Sequence, residues 1–528
     1  MSMTRSMQTA AAVVAALVWR APGASAGGIL VPGTGPQAQG RAGAFAAKAD
    51  DPSALYHNPA GLAKTPGTVL YIGGNLLDYR LRFARAGRYE VTDGGESYVG
   101  ADYPVVEDDS TPDIGVGPFQ AVPIVAVSTD LGRPEWPVRF GAGLLAPQGH
   151  PNRSFPVRHD LGGADPAPGP QRYDVIEQSA ATALPSIGVA YRPIDSVDVG
   201  VRASWGIAQL QATTATWAIR NYEEWEQKDG VFSVDVADSF VPAWGIGVLY
   251  RPIGAIELGA SYHSALHIRA TGTGTADLGT AADPLDPNAF IEPEDRPEFI
   301  DCALGGTVDA LKSCIDFDLP QMASIGARWI ARDGEGRERG DVELDVRWEN
   351  WGADDASNIL VRVDGRSSTG GFVLNPVVLR HGFRDVWSIR LGGSYAVPVA
   401  GRRVTVRAGV AHDTETAPLL YNRADIDGAP RTTMAIGASF PVGDRVQLDV
   451  GGGYVVEPTR DVPQCLPPDG PDASNPTCDG QALPPFDRRR PDPAQPLNDA
   501  NSAVESPFNA GRYEASYVML SLGVSARF

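Results

Sequence analysis

From Thr68 to the end of the chain, apolar and polar residues alternate with a period of two, segment after segment. "LDYRLRF" (77–83) sets Leu77, Tyr79, Leu81 and Phe83 on one face and Asp78, Arg80 and Arg82 on the other. "DVELDVRW" (341–348) opposes Val342, Leu344, Val346 and Trp348 to Asp341, Glu343, Asp345 and Arg347, and "RVTVRAGV" (403–410) and "RVQLDV" (445–450) repeat the pattern. Helical spacing does not produce this; strands with one apolar and one polar face do. The pattern predicts about fourteen strands, near 68–83, 121–130, 137–146, 172–192, 197–216, 231–251, 256–272, 318–331, 339–352, 384–397, 403–413, 431–440, 445–458 and 512–528.

The connections alternate in length. Segments 84–120, 147–171, 217–230, 273–317, 353–383, 414–430 and 459–511 are long, and between them fall tight turns such as "RPID" (192–195), "RPIG" (251–254), "VPVAG" (397–401) and "PVGD" (441–444). Short turns on one side and long loops on the other are the asymmetry of a barrel that spans a bacterial outer membrane. "AYRPIDSVDVG" and "LYRPIGAIELG" are nearly the same hairpin twice, with Tyr191 and Tyr250 at the height of a membrane interface. The last strand, "VMLSLGVSARF", puts Val518, Leu520, Leu522, Val524, Ala526 and the terminal Phe528 on one face. It looks like the assembly signal read by the barrel-assembly machinery, and the plainer reading is an amphipathic last strand.

Composition narrows the setting. Residues 1–26 read as a secretory signal, with Arg5 in the charged region, "TAAAVVAALVW" as the apolar region and Ala24-Ser25-Ala26 as the cleavage site. Loss of Arg5 and Arg20 with it takes the formal charge from −20 to −22. So acidic a chain repels phosphate backbones, which argues against nucleic-acid binding. After the signal no segment has the length of a transmembrane helix, so strands must do the crossing. The cysteines are Cys302, Cys314, Cys465 and Cys478, without any CxxC pair. Four cysteines allow three pairings; the short spacings favour Cys302–Cys314 and Cys465–Cys478, each clipping one loop in an oxidising compartment.

Ahead of the first strand lies a compact body rich in glycine and alanine, Gly27 to Pro66, containing "ADDPSALYHNPAGLAK" (49–64). Asp51 can cap a short helix starting at Pro52. That helix must stop by Asn58, because a residue preceding proline is pushed to extended geometry. Fourteen strands imply a lumen wider than side chains alone can fill. A plug inside the barrel answers both observations.

"GRAGAFAAKADDPSALYHNPAGLA" (40–63) resembles the amino-terminal hatch signature of the long-chain fatty acid transporter (FadL/TodX-like) family, including its Asn-Pro-Ala motif at Asn58-Pro59-Ala60. The likeness continues through "GAGLLAPQG" (141–149), "IEQSAATALPSIGVAYRP" (176–193), "WGIGVLYRPIGAIELGASY" (244–262), "DLPQMASIGARW" (318–329) and "VWSIRLGGSYAV" (386–397). The resemblance implies an all-β protein: a monomeric, 14-stranded antiparallel transmembrane barrel (68–528) with an N-terminal hatch (27–67) after the signal peptide (1–26). It implies uptake of hydrophobic small molecules, long-chain fatty acids or hydrocarbons, across a Gram-negative outer membrane with its lipopolysaccharide. It also implies sideways release into the lipid through a gap at a kinked third strand, here around Pro147 and Gly149. Phe45, Asn58, Pro59 and Ala60 are the hatch's candidate gating residues, with the triplet resting against that kink. Loops 273–317 and 459–511 are longer and more acidic than this pattern leads one to expect.

Catalytic signatures are missing: there is no HExxH, GxSxG, Walker loop or GxGxxG. No catalytic residue, metal or cofactor is expected. "ADIDGA" (424–429) is similar to part of a calcium loop but lacks the distal glutamate, so calcium is not indicated. Charged residues facing the lumen, Arg202, Glu257, His263, Asp345, Arg347, Arg390 and Arg407, either form a paired, solvated interior or include arginines that hold a substrate carboxylate. Three functions compete: a channel for hydrophobic compounds, supported by the hatch; a structural or adhesive barrel working through its acidic loops; and a lipolytic barrel enzyme, for which no nucleophile–His–acid cluster is recognisable.

Overall fold

The computed structural model describes residues 34–89, 95–112, 114–146, 152–216, 229–278, 289–294, 302, 306–370, 373–462, 465–466, 477–478, 481–482 and 509–528. The signal segment lies outside them. The alternating segments form one closed antiparallel barrel of fourteen strands. In chain order these are β1 (Val69–Arg85), β2 (Phe119–Thr129), β3 (Val138–Leu145), β4 (Glu177–Ile194), β5 (Val197–Thr216) and β6 (Gly230–Ile253). The next four each come in two pieces: β7 (Ile256–His263 and Leu266–Asp277), β8 (Leu311–Leu319 and Met322–Arg332), β9 (Glu338–Glu349 and Asn358–Val363) and β10 (Val377–Arg380 and Val386–Val399). β11 (Arg402–Asp413), β12 (Arg431–Val442), β13 (Val446–Val456) and β14 (Gly511–Arg527) complete the wall. β14 zips to β1 along the full length of both, from Val69 opposite Arg527 to Arg85 opposite Gly511.

The period-two pattern has the physical meaning expected of a lipid-embedded wall. Outward positions Ile246, Ile325, Leu344, Ile436 and Leu522 are exposed apolar side chains, and the polar partners in the same strands are buried inside. Tyr191, Tyr250, Trp329, Tyr395 and Phe440 point outward near the short turns, where the band meets water. No described helix is long and apolar enough to cross a membrane. Leu522 is 64% exposed in the middle of this face. Leu522→Arg is therefore expected to destabilise the inserted barrel by about 2–4 kcal/mol. Urea titration in lipid vesicles measures it, and an unchanged midpoint would mean that this face is not in lipid.

The structure departs from the sequence reading in several places. In the outer half of β1 the apolar face points inward: Leu81 and Phe83 are buried, while Arg80 and Arg82 are exposed. There Leu81 and Phe83 pack against Val106, Phe155 and Tyr513 in an apolar cluster instead of facing lipid. β4 begins at Glu177 rather than near 172. Segment 273–317, expected as loop, contains the outer piece of β8, and segment 353–383 contains the outer pieces of β9 and β10. These pieces form their own ladders, Leu266–Gly274 with Leu311–Leu319, Ser313–Asp316 with Leu360–Val363, and Asn358–Val361 with Val377–Arg380. The wall thus breaks at the same height in four neighbouring strands, at Pro320 in β8 among them. Proline removes a ladder donor, so a break there is what its chemistry dictates.

Cys302 and Cys314 form a disulfide. Cys314 stands in the outer piece of β8 and not in a loop, so the bridge ties the preceding segment to the wall. The backbone sets Cys465 opposite Cys478 in a short antiparallel pair.

Candidate functional site

The segment before β1 is packed inside the barrel. Phe45, Leu55 and Leu62 are fully buried. It folds as α1 (Pro36–Gln39), α2 (Ala54–His57) and a 3-10 turn (Pro59–Lys64). α2 starts at Ala54 rather than at Pro52: the Asp51 carboxylate accepts from the Ser53 amide (2.8 Å) and hydroxyl (2.5 Å) in a turn that precedes it. Asn58 is extended (φ −158°, ψ 101°), as the following proline requires, and ends the helix.

Carboxylates on the inner face of β9 seat this hatch. Arg41, fully buried, meets Asp341 and Glu343 at 2.9 Å each. Glu343 also accepts from the Ala47 amide (2.6 Å), and Asp345 accepts from the amides of Phe45 (2.8 Å) and Ala46 (2.9 Å). The hatch backbone from 45 to 48 thus finds its hydrogen-bond partners on one strand, as buried amides must. The sequence pattern puts these three acids on one face of a strand, but it does not reveal Arg41, 300 residues before Asp341, as the partner of Asp341 and Glu343.

Glycines make room for the seat. Gly200 and Gly247 are cross-strand partners on β5 and β6. A Cβ at Gly200 would lie 2.3 Å from the Pro59 carbonyl carbon, and one at Gly247 would lie 2.0 Å from Asn58 Oδ1. Gly392 and Gly409 pair likewise on β10 and β11, and a Cβ at Gly409 would lie 2.2 Å from the Arg41 carbonyl carbon. The Asn-Pro-Ala triplet therefore rests on β5 and β6. Asn58 Nδ2 donates to Ala46 O (2.7 Å) and to Val248 O (3.3 Å), and its Oδ1 accepts from the Ala60 amide (3.2 Å). Pro147 and Gly149 lie outside the described residues.

What is described next to them is a short ladder. β3 pairs with β2 over five residues, from Val125 opposite Leu144 to Thr129 opposite Phe140. β2 continues outward to Phe119 and is paired on its other side with β1 as far as Gln120 opposite Leu77.

Above the hatch, where β7 to β10 break, an apolar chamber of about 370 Å³ opens. Leu210, Phe232, Phe317, Trp351, Val361 and Phe383 are prominent in its lining. One flank is polar but spoken for: Arg423 binds Asp425 (3.0 Å) and Asp174 (3.6 Å), and His381 lies 3.4 Å from Asp425. Asp425 and Asp427 of "ADIDGA" are engaged by protein groups, Asp427 by the Tyr79 hydroxyl at 2.5 Å. Arg423 and His381 hold the Asp425 carboxyl below its ordinary range, although burial alone would raise it. No cluster able to hold a metal occurs among the described residues.

The lumen arginines meet different fates. Arg390 pairs with Asp413 (3.1 Å), Arg407 donates to Gln37 of the hatch (2.8 Å), and Arg347 donates to Ser324 (3.1 Å) with Glu349 at 3.9 Å. Arg202 donates Nη2 to His263 Nδ1 at 3.2 Å and lies 5.4 Å from the centre of the Tyr56 ring. Nearby in the hatch, His57 stacks edge-on against Phe45 and Tyr56. Burial pushes His57 down to about 4, aided by Arg347, Arg390 and Arg202, against a hydrogen bond to Thr34 O that works the other way. This ring is therefore neutral at physiological pH.

A plugged, lipid-facing barrel with an apolar chamber on its outer side is an outer-membrane transport channel. A model of the outer membrane protein transport family (OMPP1/FadL/TodX) matches residues 17–465, and the chain belongs to that family. Its fold matches solved members. A Pseudomonas aeruginosa FadL homologue superposes with a TM-score of 0.66 at 15% identity, over 95% of this chain and 100% of that one. The Ralstonia pickettii toluene transporter TbuX gives 0.58 at 15% identity over 94% and 99%, and the P. putida toluene transporter TodX gives 0.57 at 14% over 94% and 99%. No curated protein matches the chain.

Proposed function

We propose that this channel takes up hydrophobic molecules, long-chain fatty acids or hydrocarbons, and releases them sideways into the outer membrane. The chamber carries the reading. Its wall of Leu, Ile, Val, Phe and Trp side chains offers an apolar solute what water cannot, and its size suits a small ligand. Two solved relatives are named as toluene transporters, which supports an apolar solute. An apolar solute gains nothing by continuing through a polar lumen closed by the hatch. The exit towards lipid lies beside Pro147 and Gly149, as the resemblance to the family implies, with Phe45, Asn58, Pro59 and Ala60 as the hatch elements that govern it.

Ala212 lines the chamber, and Ala212→Trp would fill part of it. The expected result is a severalfold fall in uptake of labelled hydrophobic solute by whole cells, with heat-modifiable migration showing normal assembly. Unchanged uptake by an assembled variant would remove the chamber from the route.

A further inference from the structure

At the end of the barrel that carries the short turns, the hatch and the wall border a cleft of about 400 Å³. In an outer-membrane barrel this end faces the periplasm. Gln37, Asp50 and Asp51 of the hatch line one side. Arg339 of β9, Arg403 and Arg407 of β11 and Arg527 of β14 line the other. The chain has 64 acidic residues against 44 basic ones, so composition alone does not supply four arginines to one cleft.

The acids of the cleft are already matched. Asp50 and Glu338 both bind Lys48, at 2.7 and 3.4 Å, Glu338 also meets Arg328, and Asp51 accepts from the Ser53 amide. The four arginines form no ion pair among the described residues. Arg339 Nε donates to the Tyr395 hydroxyl (2.8 Å), Arg403 Nη2 to Glu338 O (2.5 Å) and Arg407 Nη2 to Gln37 Oε1 (2.8 Å), all uncharged acceptors. Arg407 is 7% exposed, and its Nε has no hydrogen-bond partner. Arg339, Arg403 and Arg527 are exposed, so a ligand from outside can reach them. Like charges that share one cleft repel, and an anion between them turns that repulsion into attraction.

We propose that this cleft is an anion site that takes a phosphate group from the periplasmic side. A phosphate presents oxygens in several directions and so engages several planar guanidiniums at once, whereas a carboxylate suits one. Thr405 and Ser525 on the same wall add hydroxyl donors. The phosphate arrives either as a free anion or on the headgroup of an inner-leaflet phospholipid at the rim. The site lies on the opposite side of the hatch from the apolar chamber, and it does not depend on the uptake reading.

The test is calorimetric titration of the full barrel in dodecyl maltoside, at neutral pH and fixed ionic strength. The probes are inorganic phosphate, acetate and dihexanoyl phosphatidylglycerol. Wild type is compared with Arg403→Gln/Arg527→Gln, with Arg339→Gln and with Arg402→Gln, heat-modifiable migration confirming assembly. Arg402 is the control: it is exposed beside Arg403 but outside the cleft, donating to Pro441 O. Wild type is expected to bind phosphate more tightly than acetate. The double variant should lose at least about 10-fold, the order of one charge-assisted bond. Arg339→Gln should weaken binding severalfold and Arg402→Gln should leave it unchanged. Phosphate binding with this arginine dependence identifies the free anion as sufficient; lipid binding with the same dependence, without binding of phosphate alone, identifies the headgroup. Binding of neither, acetate binding as tightly as phosphate, or an affinity kept in the double variant would overturn the site. Thermal unfolding gives a second readout, since a ligand of the folded state raises its midpoint. Phosphate should raise the midpoint of wild type and not that of the double variant; an equal rise in both would mean that phosphate acts elsewhere.

Discussion

Glu343→Ala should open the hatch to protease without disturbing the wall around it. Trypsin cuts after arginine and lysine, and Arg41 (0% exposed) and Lys48 (5%) are sealed in the lumen. Glu343 meets Arg41 at 2.9 Å and also accepts from the Ala47 amide. Its removal leaves a buried guanidinium short of one carboxylate and a buried amide short of its acceptor. Breaking a buried pair from one side costs about 3–5 kcal/mol. The β9 ladder uses backbone groups only, so the barrel should still shift on heated gels. Cleavage at Arg41 or Lys48 in the variant, with the wild type resistant, is the expected outcome. A resistant variant would show that the seat has other, sufficient anchors.

Gly200→Val should displace the hatch by steric means. Its Cβ would need the space of the Pro59 carbonyl carbon, 2.3 Å away, and a backbone atom cannot yield as a flexible side chain does. Overpacking of this kind costs about 1–3 kcal/mol or more. Valine suits a strand, so the wall itself is not harmed. Gly254 has nothing within 4 Å of its would-be Cβ, and Gly254→Val is the matched control. In planar lipid bilayers the Gly200 variant should pass several times the ion current of the wild type, and the control should not. Equal currents would mean that the hatch does not obstruct the lumen at this contact.

The two substitutions probe what the sequence could and could not announce. The membrane-spanning wall was legible because lipid on one side and a polar lumen on the other impose strict alternation, as in Asp341, Glu343 and Asp345 against Val342 and Leu344. Where the outer ends rise beyond lipid, that rule lapses. Leu311 to Ile315 are buried without alternation, so the outer piece of β8 read as loop. In β1 the same alternation was visible, but Leu81 and Phe83 turned out to face an apolar interior. The alternation places the lumen arginines on one face, but it does not tell Arg390, which pairs with Asp413, from Arg202, which has no ion pair among the described residues. Nor could local pattern show that Arg41 would meet Glu343, or Pro59 meet Gly200. A signal did exist: inward glycines facing one another across β5–β6 and β10–β11 interrupt strands that otherwise favour larger side chains.

The seam between β1 and β14 bears on biogenesis. The hatch ends at Lys64, and β1 begins at Val69, so a tether of four residues, 65–68, joins plug to seam. The strand that shuts the cylinder thus also carries the cork. The seam's seventeen residue pairs, from Val69–Arg527 to Arg85–Gly511, therefore start four residues from the cork, and the two cannot be placed independently.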